Sequence, residues 1–329
     1  MTQAVSGQMS VMSKSRPIPV VMADTATTAA TRDRLGLATE AREFAIRELA
    51  LPDGSSYRKY ADLGRPYAVW NVVATPEFSV APHRWCFPVA GCVAYRGYFK
   101  EASARSLALK LSMHGDDVAV GGVPTYSTLG HLPDPLFNTM IGWRESRFVG
   151  TIFHELAHER LYLTGDSEFN EAFASVVEDE GVRRWLASRG KTADFEAYRL
   201  SASREADFAA LLRRARGRLA ALYASGKPLE ELRIDKQREF GRLKFEYEQL
   251  KKRWGGYAGY DAWFARPLNN AHLASIATYM DCMPGLRREL DAAGSLPEFY
   301  ERAAALGQLK AQERHDRLCR KLGTLTRFR

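Results

Sequence analysis

From Thr31 to Leu49 the apolar residues Leu35, Leu37, Ala41, Phe44, Ala45 and Leu49 recur at helical spacing, and Pro52-Asp53-Gly54 ends the run. That period predicts an amphipathic helix with a charged outer face, stopped where proline and glycine break the pattern. Before it, Met1 to Arg16 is polar with scattered methionines, and Pro17 to Val21 reads as a short extended piece. Between Tyr67 and Gly122 the texture changes to aromatic and β-branched runs, at Tyr67–Val73, Val89–Tyr98 and Val118–Val120. Short strands are predicted there, with a helix over Glu101–His114 among them. From Arg144 onward helical periods dominate. Ala193–Ser225 and Leu229–Trp254 are two long, charge-laced patterns parted by Gly226-Lys-Pro228, which predicts a helical hairpin. Leu268–Met280 and Pro297–Leu306 add further helices, and a basic helix follows from Gln308.

The expected fold class is therefore α+β, mainly helical, with a small β-sheet and a long helical hairpin. In linear order the chain divides into an N-terminal extension (1–30), a catalytic region with the sheet (31–192), the hairpin (193–255) and a C-terminal helical region packing on the core (256–329). A length of 329 residues allows two lobes, and 46% hydrophobic with 26% charged residues excludes wholesale disorder. The 47 Lys and Arg against 39 Asp and Glu leave a net charge of +8. Because acidic and basic residues alternate along the helical stretches, this surplus does not form a nucleic-acid footprint, and no nucleic-acid partner is expected. No apolar run approaches the roughly 20 residues of a bilayer-spanning helix, and mean hydropathy is −0.32. Met1 to Pro17 lacks the charged start and apolar core of a signal peptide. None of the four cysteines, at 86, 92, 282 and 319, forms the paired CxxC of a structural zinc site. Cys86 and Cys92 are close enough along the chain to bridge in an oxidising compartment, or to remain buried thiols.

The segment that carries chemistry is Phe148-Val-Gly-Thr-Ile-Phe-His-Glu-Leu-Ala-His158, which contains HExxH. Residues four apart on a helix stand one above the other, so His154 and His158 can share one Zn²⁺ per chain. Glu155 is turned slightly off that face, where a carboxylate can hold a water and remove its proton. A zinc hydrolase needs a third protein ligand. After Tyr162-Leu-Thr-Gly165, Asp166 or Ser167 can cap a second helix carrying Asn170-Glu171-Ala-Phe-Ala174. Glu171 follows His158 with 12 intervening residues; Glu178, on the same helical face, follows with 19.

HExxH followed by an NExxA helix resembles the gluzincin metallopeptidases, and Asn170-Glu171-Ala-Phe-Ala174 is similar to the corresponding segment of aminopeptidase N-type enzymes. In thermolysin-like and aminopeptidase N-type members the ligand is the Glu after Asn, though its separation from the second His is nearer that of Glu178. Loop length between helices changes easily while the Asn-Glu context is tied to packing, so Glu171 is the expected third ligand. Glu178 is then a candidate for orienting a histidine. Trp85–Phe99, Tyr126–Gly130, Asp134–Met140, the FHELAHERLY helix and Leu268–Ala271 together resemble a bacterial family of predicted zinc aminopeptidases over nearly the whole chain. Gln3–Gln8 and Arg16–Ile18 look like the stretch that follows a lipoprotein signal in that family. The resemblance thus implies a body facing the cell envelope, a membrane tether through a lipid anchor outside this chain, and a Cys86–Cys92 bridge.

By the same analogy, Gly121–Tyr126 would pair with a peptide substrate by strand addition. Tyr126 is the first candidate for oxyanion donor and Tyr260 the second. Arg96 could bind a substrate carboxylate or sit in an ion pair. Asn269 and Asn270 cap a helix or line the cleft, and Asp166 or Glu168 could hold a substrate ammonium group. His83, His114, His131, His272 and His315 lack ligand spacing and read as structural. The expected activity is a zinc metallopeptidase, an aminopeptidase by resemblance, with Glu155 as general base. The competing reading is an envelope-associated, zinc-containing scaffold that uses the helical hairpin to bind a partner.

Overall fold

The computed structural model describes residues 2–87, 91–128, 132–274 and 282–319. The chain runs α1 (Thr2–Lys14), β1 (Ser15–Pro17), α2 (Ile18–Ala23), α3 (Ala29–Leu49), β2 (Lys59–Ala61), β3 (Val69–Thr75), β4 (Trp85–Phe87), β5 (Gly91–Val93), β6 (Arg96–Tyr98), α4 (Glu101–Met113) and β7 (Asp117–Val123). It continues through β8 (Leu136–Phe137), α5 (Glu145–Arg160), α6 (Ser167–Ser188), α7 (Thr192–Tyr223), α8 (Leu229–Arg253), α9 (Asp261–Phe264), α10 (Asn270–Ala274), α11 (Met283–Ala292), α12 (Leu296–Gly307) and α13 (Ala311–Leu318). The class is α+β and mainly helical, as expected.

Two compact units, each discontinuous along the chain, share these elements: one comprises Met1–Gly7, Val69–Val123 and Arg199–Ala277, the other Gln8–Ala68, Pro124–Tyr198 and Thr278–Arg329. In the first, β3 is the middle strand of an antiparallel sheet, with Trp70 opposite Tyr98 of β6 and Asn71 opposite Gly121 of β7. The period of two along β3 sends Trp70 and Val72 to the α4 side, with Tyr98 and Ala104, while Val73 packs with Ala271 and Ala274 of α10. The predicted hairpin is α7 and α8. Phe208, Leu211, Leu212, Ala215 and Leu219 recur every three or four residues and meet Leu243, Tyr247 and Leu250. Gly226 makes the turn between them at φ 71°, a backbone state that a side chain would disfavour.

The second unit carries the HExxH helix. Thr28 caps α3 by accepting Thr31 N–H at 3.2 Å, and α3 lays Leu35, Ala38, Ala41 and Ala45 into a core shared with Ile152, Phe153 and Leu156 of α5 and Phe169, Phe173 and Val177 of α6. Phe173 stacks on Phe299 of α12, with centroids 5.6 Å apart. Each of these fully buried aromatic side chains contributes about 1.5–3 kcal/mol of burial free energy, which fixes α5 and α6 as a rigid pair. Their approach depends on Gly181, where a Cβ would lie 2.7 Å from the Phe153 ring and 2.8 Å from Leu49. A small sheet completes the unit, β1 antiparallel to β2 and β2 parallel to β8.

Some expectations about elements need correction. The piece from Pro17 to Val21 is not extended: the strand ends at Pro17 and Ile18–Ala23 is helical. A proline in the first helical turn lacks only an N–H that would have no partner there, so Pro19 permits the helix. The polar opening, for which no element was expected, forms α1. Val89–Tyr98 is not one strand, since Gly91–Val93 and Arg96–Tyr98 are separate; its start at 89–90 lies outside the described residues. Of Leu268–Met280, Asn270–Ala274 is helical and 275–280 lies outside the described residues, as does the tail beyond 319. Cys86 pairs with Cys92, and Cys282 pairs with Cys319, a bridge not anticipated.

Candidate metal centre

Helix α5 places His154 and His158 one turn apart, with both Nε2 atoms turned to the same point, 3.2 Å from each other. The next helix must bring a carboxylate to that point, and the joining loop is set by Asn170. Its side-chain carbonyl accepts Leu163 N–H at 2.8 Å and its amide donates to Leu163 C=O at 2.8 Å, while Asp166 caps α6 by accepting Phe169 N–H at 3.1 Å. Asn170 is 1% exposed, so both bonds are shielded from water. The asparagine before Glu171 therefore clamps the loop, and Glu171 on the following residue reaches the histidines. Its Oε2 is 3.3 Å from His154 Nε2 and its Oε1 3.6 Å from His158 Nε2.

These spacings test whether the three side chains could hold a metal. Donors bound at 2.0–2.1 Å in a tetrahedron are separated by about 3.3 Å. The two histidine nitrogens at 3.2 Å and His154 Nε2 with Glu171 Oε2 at 3.3 Å match that edge, the other Glu171 oxygen lies 3.6 Å from His158 Nε2, and the three groups could hold an ion. Glu178 does something different. Its Oε2 lies 3.1 Å from His154 Nδ1, the nitrogen facing away from the shared point, where a carboxylate fixes the tautomer and raises basicity. Gly150 makes room for it, since a Cβ there would be 2.8 Å from Glu178 Oε1. Tyr198 completes this outer layer by donating to Asp179 at 2.8 Å.

Among the protein groups alone, the cluster behaves as a cation trap. Burial opposes charge on His154, but the hydrogen bonds of Glu171 and Glu178 prevail and raise its pKa to about 10. Burial and the neighbouring His154 charge lower His158 to about 4. The Glu171 carboxyl, though burial works against its charge, is held below the usual range by its hydrogen bond and its attraction to the histidines. Two carboxylates thus enclose one positive charge, the arrangement that suits a divalent ion. His158 Nδ1 is buried without a hydrogen-bond partner.

Glu155 is partly buried beside the cluster, and this burial raises its pKa, opposed by His154 and by a hydrogen bond with Ser127. Tyr126, the expected oxyanion donor, gives its hydroxyl to Gln8 Oε1 and stacks on Phe137. Tyr260 stacks on Phe208 in the other unit. The tyrosines that sense the cluster's carboxylates were not anticipated: Tyr57, buried near Glu155, and Tyr162, whose ring is 6.1 Å from that of His158. Tyr162 stands four residues after His158, a spacing that could have drawn attention to it. Of the remaining candidates, Arg96 lies over the Tyr98 ring, and Asn269 donates to Val118 C=O. Asn270 is fully buried between Glu77 C=O and the Tyr223 hydroxyl, a structural position. Asp166 is occupied with Arg314 and His315, and Glu168 lies 3.6 Å from His315. Cys282, His315 and Cys319 also lie close together, but the bridge between the cysteines uses both sulfurs.

The fold and this centre define a mainly helical α+β protein with a partly buried His-His-Glu cluster beside a further carboxylic acid, Glu155. The chain belongs to the family described as "Putative aminopeptidase", whose model matches residues 1–318. No curated protein and no solved structure matches it.

Proposed function

We propose that the protein is a zinc-dependent metallopeptidase, an aminopeptidase in keeping with its family, in which His154, His158 and Glu171 hold one Zn²⁺. The observation that carries this reading is the convergence of the His154 and His158 Nε2 atoms with the Glu171 carboxylate, with Glu178 behind His154. Bound there, the ion would polarise a peptide carbonyl and acidify a water. Glu155 takes the proton of the attacking water and returns it to the leaving amine. Its burial suits both halves of that task, because a carboxyl pushed above its ordinary value is a better proton carrier near neutrality. The apolar residues Val149, Ile152, Phe153 and Leu156 on the inner face of α5, all fully buried, keep bulk water from that side.

An envelope location fits the same reading. Two cysteine pairs and no free cysteine among the described residues suit an oxidising compartment. No described helix is long and apolar enough to cross a membrane, so attachment would rest on the lipid anchor that the family resemblance implies.

The test is elemental analysis of wild type, Glu171→Ala and Glu178→Ala, with cleavage of aminoacyl and internally quenched peptides measured on the same samples. One zinc per chain, lost with Glu171→Ala and weakened about 10- to 100-fold in affinity with Glu178→Ala, is the expected result. Glu155→Gln keeps the zinc and loses turnover. Protein that takes up no metal when offered zinc would refute the proposal.

A further inference from the structure

Among the described residues a second set of metal-binding side chains converges in the unit that holds HExxH. Cys282 stands at the N-terminus of α11, His315 in the last turn of α13, and Cys319 directly after that helix. One donor atom of each lies within 4.8 Å of the others. His315 and Cys319 are four residues apart, the spacing that stacks two side chains on one helical face, and Cys319 N–H donates to His315 C=O at 2.8 Å. In the structure the two sulfurs are joined. A newly made chain carries them as thiols, and exchange with a dithiol returns them to that state.

Packing, and not the bridge alone, brings the donors together. At Gly285 of α11 a Cβ would run into the Leu318 carbonyl oxygen, so the two helices meet backbone to backbone. Cys282, Leu286 and Leu318 are buried in the core of the unit. Arg314, beside His315, pins α13 by donating to Asp166 and to the carbonyls of Gly307 and Leu309. The His315 ring is held as well, with Nε2 2.9 Å from Asp166 Oδ1 and Nδ1 3.6 Å from Glu168 Oε2. A carboxylate on one ring nitrogen is what keeps a metal-binding histidine in one orientation and one tautomer. Asp166 is suited to that task, because Phe169 N–H and Arg314 fix it in a buried position.

We infer that, with the bridge open, Cys282, Cys319 and His315 form a binding site for one Zn²⁺, separate from the cluster of His154, His158 and Glu171. Two thiolates and an imidazole suit this borderline-soft ion, whereas Mg²⁺ and Ca²⁺ take oxygen ligands. A dithiol opens the bridge by giving it two electrons and two protons, and is itself oxidised to a disulfide. The ion then displaces both thiol protons to solvent as two Zn–S bonds form. Bridge and metal thus compete for the same sulfurs, and bound zinc protects the thiols from reoxidation. The site is independent of whether the protein cleaves peptides.

The experiment uses the full chain carrying Cys86→Ser and Cys92→Ser, so that only the Cys282–Cys319 pair can change. Oxidised protein, and protein reduced with a dithiol that is then removed without air, are each offered Zn²⁺, desalted and submitted to elemental analysis; parallel samples receive Co²⁺. The reduced form should hold one metal per chain more than the oxidised form. Its cobalt spectrum should carry a thiolate-to-metal charge-transfer band that the oxidised form lacks. His315→Ala and Cys282→Ser should each lose the additional metal, and Asp166→Asn should weaken it about 10- to 100-fold. Zinc should also raise the Tm of the reduced chain by more than that of the oxidised chain, because only the reduced chain gains a ligand at this site. Equal metal in the two forms, or additional metal that survives both His315→Ala and Cys282→Ser, would overturn the inference. So would a reduced chain whose circular dichroism shows its helices lost, since the donors are held together by packing.

Discussion

Asp166→Asn separates two roles that one side chain combines. Asparagine caps helices as well as aspartate does, so the bond from Phe169 N–H survives, while the negative charge is lost. That charge faces Arg314, which donates to Oδ2 through Nε at 2.8 Å, and both side chains are 6% exposed. Removing one partner of a buried pair costs about 3–5 kcal/mol, because the other charge stays buried and uncompensated. Arg314 keeps bonds to the carbonyls of Gly307 at 3.1 Å and Leu309 at 2.8 Å, which places the expected loss at the lower end, about 3 kcal/mol. For a unit of this size that corresponds to a fall in Tm of about 6–12 °C. Thermal unfolding by circular dichroism measures it, with Arg314→Met as the partner variant. In the Arg314→Met background, Asp166→Asn should cost less than about 1 kcal/mol, since no buried guanidinium remains to be stranded. The effect also has a defined pH window. Hydrogen bonds from His315, Arg314 and Phe169 N–H outweigh burial and hold the Asp166 pKa below its ordinary 3.8. A group depressed on folding contributes stability that is complete above its unfolded value and lost as pH falls through its folded one. The wild-type advantage over Asp166→Asn should therefore be constant from about pH 5 to 8 and shrink below about pH 4. A shift in Tm under 2 °C, or an equal loss in the Arg314→Met background, would refute the reasoning.

Gly150→Ala should push Glu178 away from His154 Nδ1 and weaken metal binding about 10-fold or more, read by competition with a chromogenic chelator. Opening the Cys282–Cys319 bridge, which closes a separation of 37 residues, should cost about 4 kcal/mol by chain entropy, against about 2 kcal/mol for Cys86–Cys92 with its separation of 6; denaturant melts of Cys→Ser variants check the order. Non-reduced peptide mapping should recover both pairs. Asn170→Ala strands Leu163 N–H and C=O and should lower stability by about 2–3 kcal/mol, with a matching loss of metal affinity from the freed loop.

The metal centre was legible because its information is local. His154 and His158 need one helical turn, and the Asn170-Glu171 context pointed to the carboxylate that lies beside both histidines, the asparagine clamp allowing a shorter loop. The hairpin was legible from its uninterrupted 3.6-residue period, realised as Thr192–Tyr223 and Leu229–Arg253. What stayed hidden depends on chain reversal. Tyr57 arrives near Glu155 from a segment far upstream, in a backbone state that its residue type argues against. Helix α1, with Gly and Ser among its residues and a weak apolar face, offered little pattern to read. The partner of Cys282 could not be chosen from spacing either, because long-range cysteine pairing has no local signature.

The pair between Asp166 and Arg314 also sets an order of events during synthesis. The two residues are 148 positions apart, so at about 5–20 residues per second the ribosome delivers Arg314 roughly 7–30 s after the cap of α6 has been made. Throughout that interval both histidines and Glu171 already exist, but the start of the Glu171 helix carries a carboxylate whose burial is not yet balanced. The partner that balances the cap of the Glu171 helix thus comes from the last described helix, at the far end of the sequence.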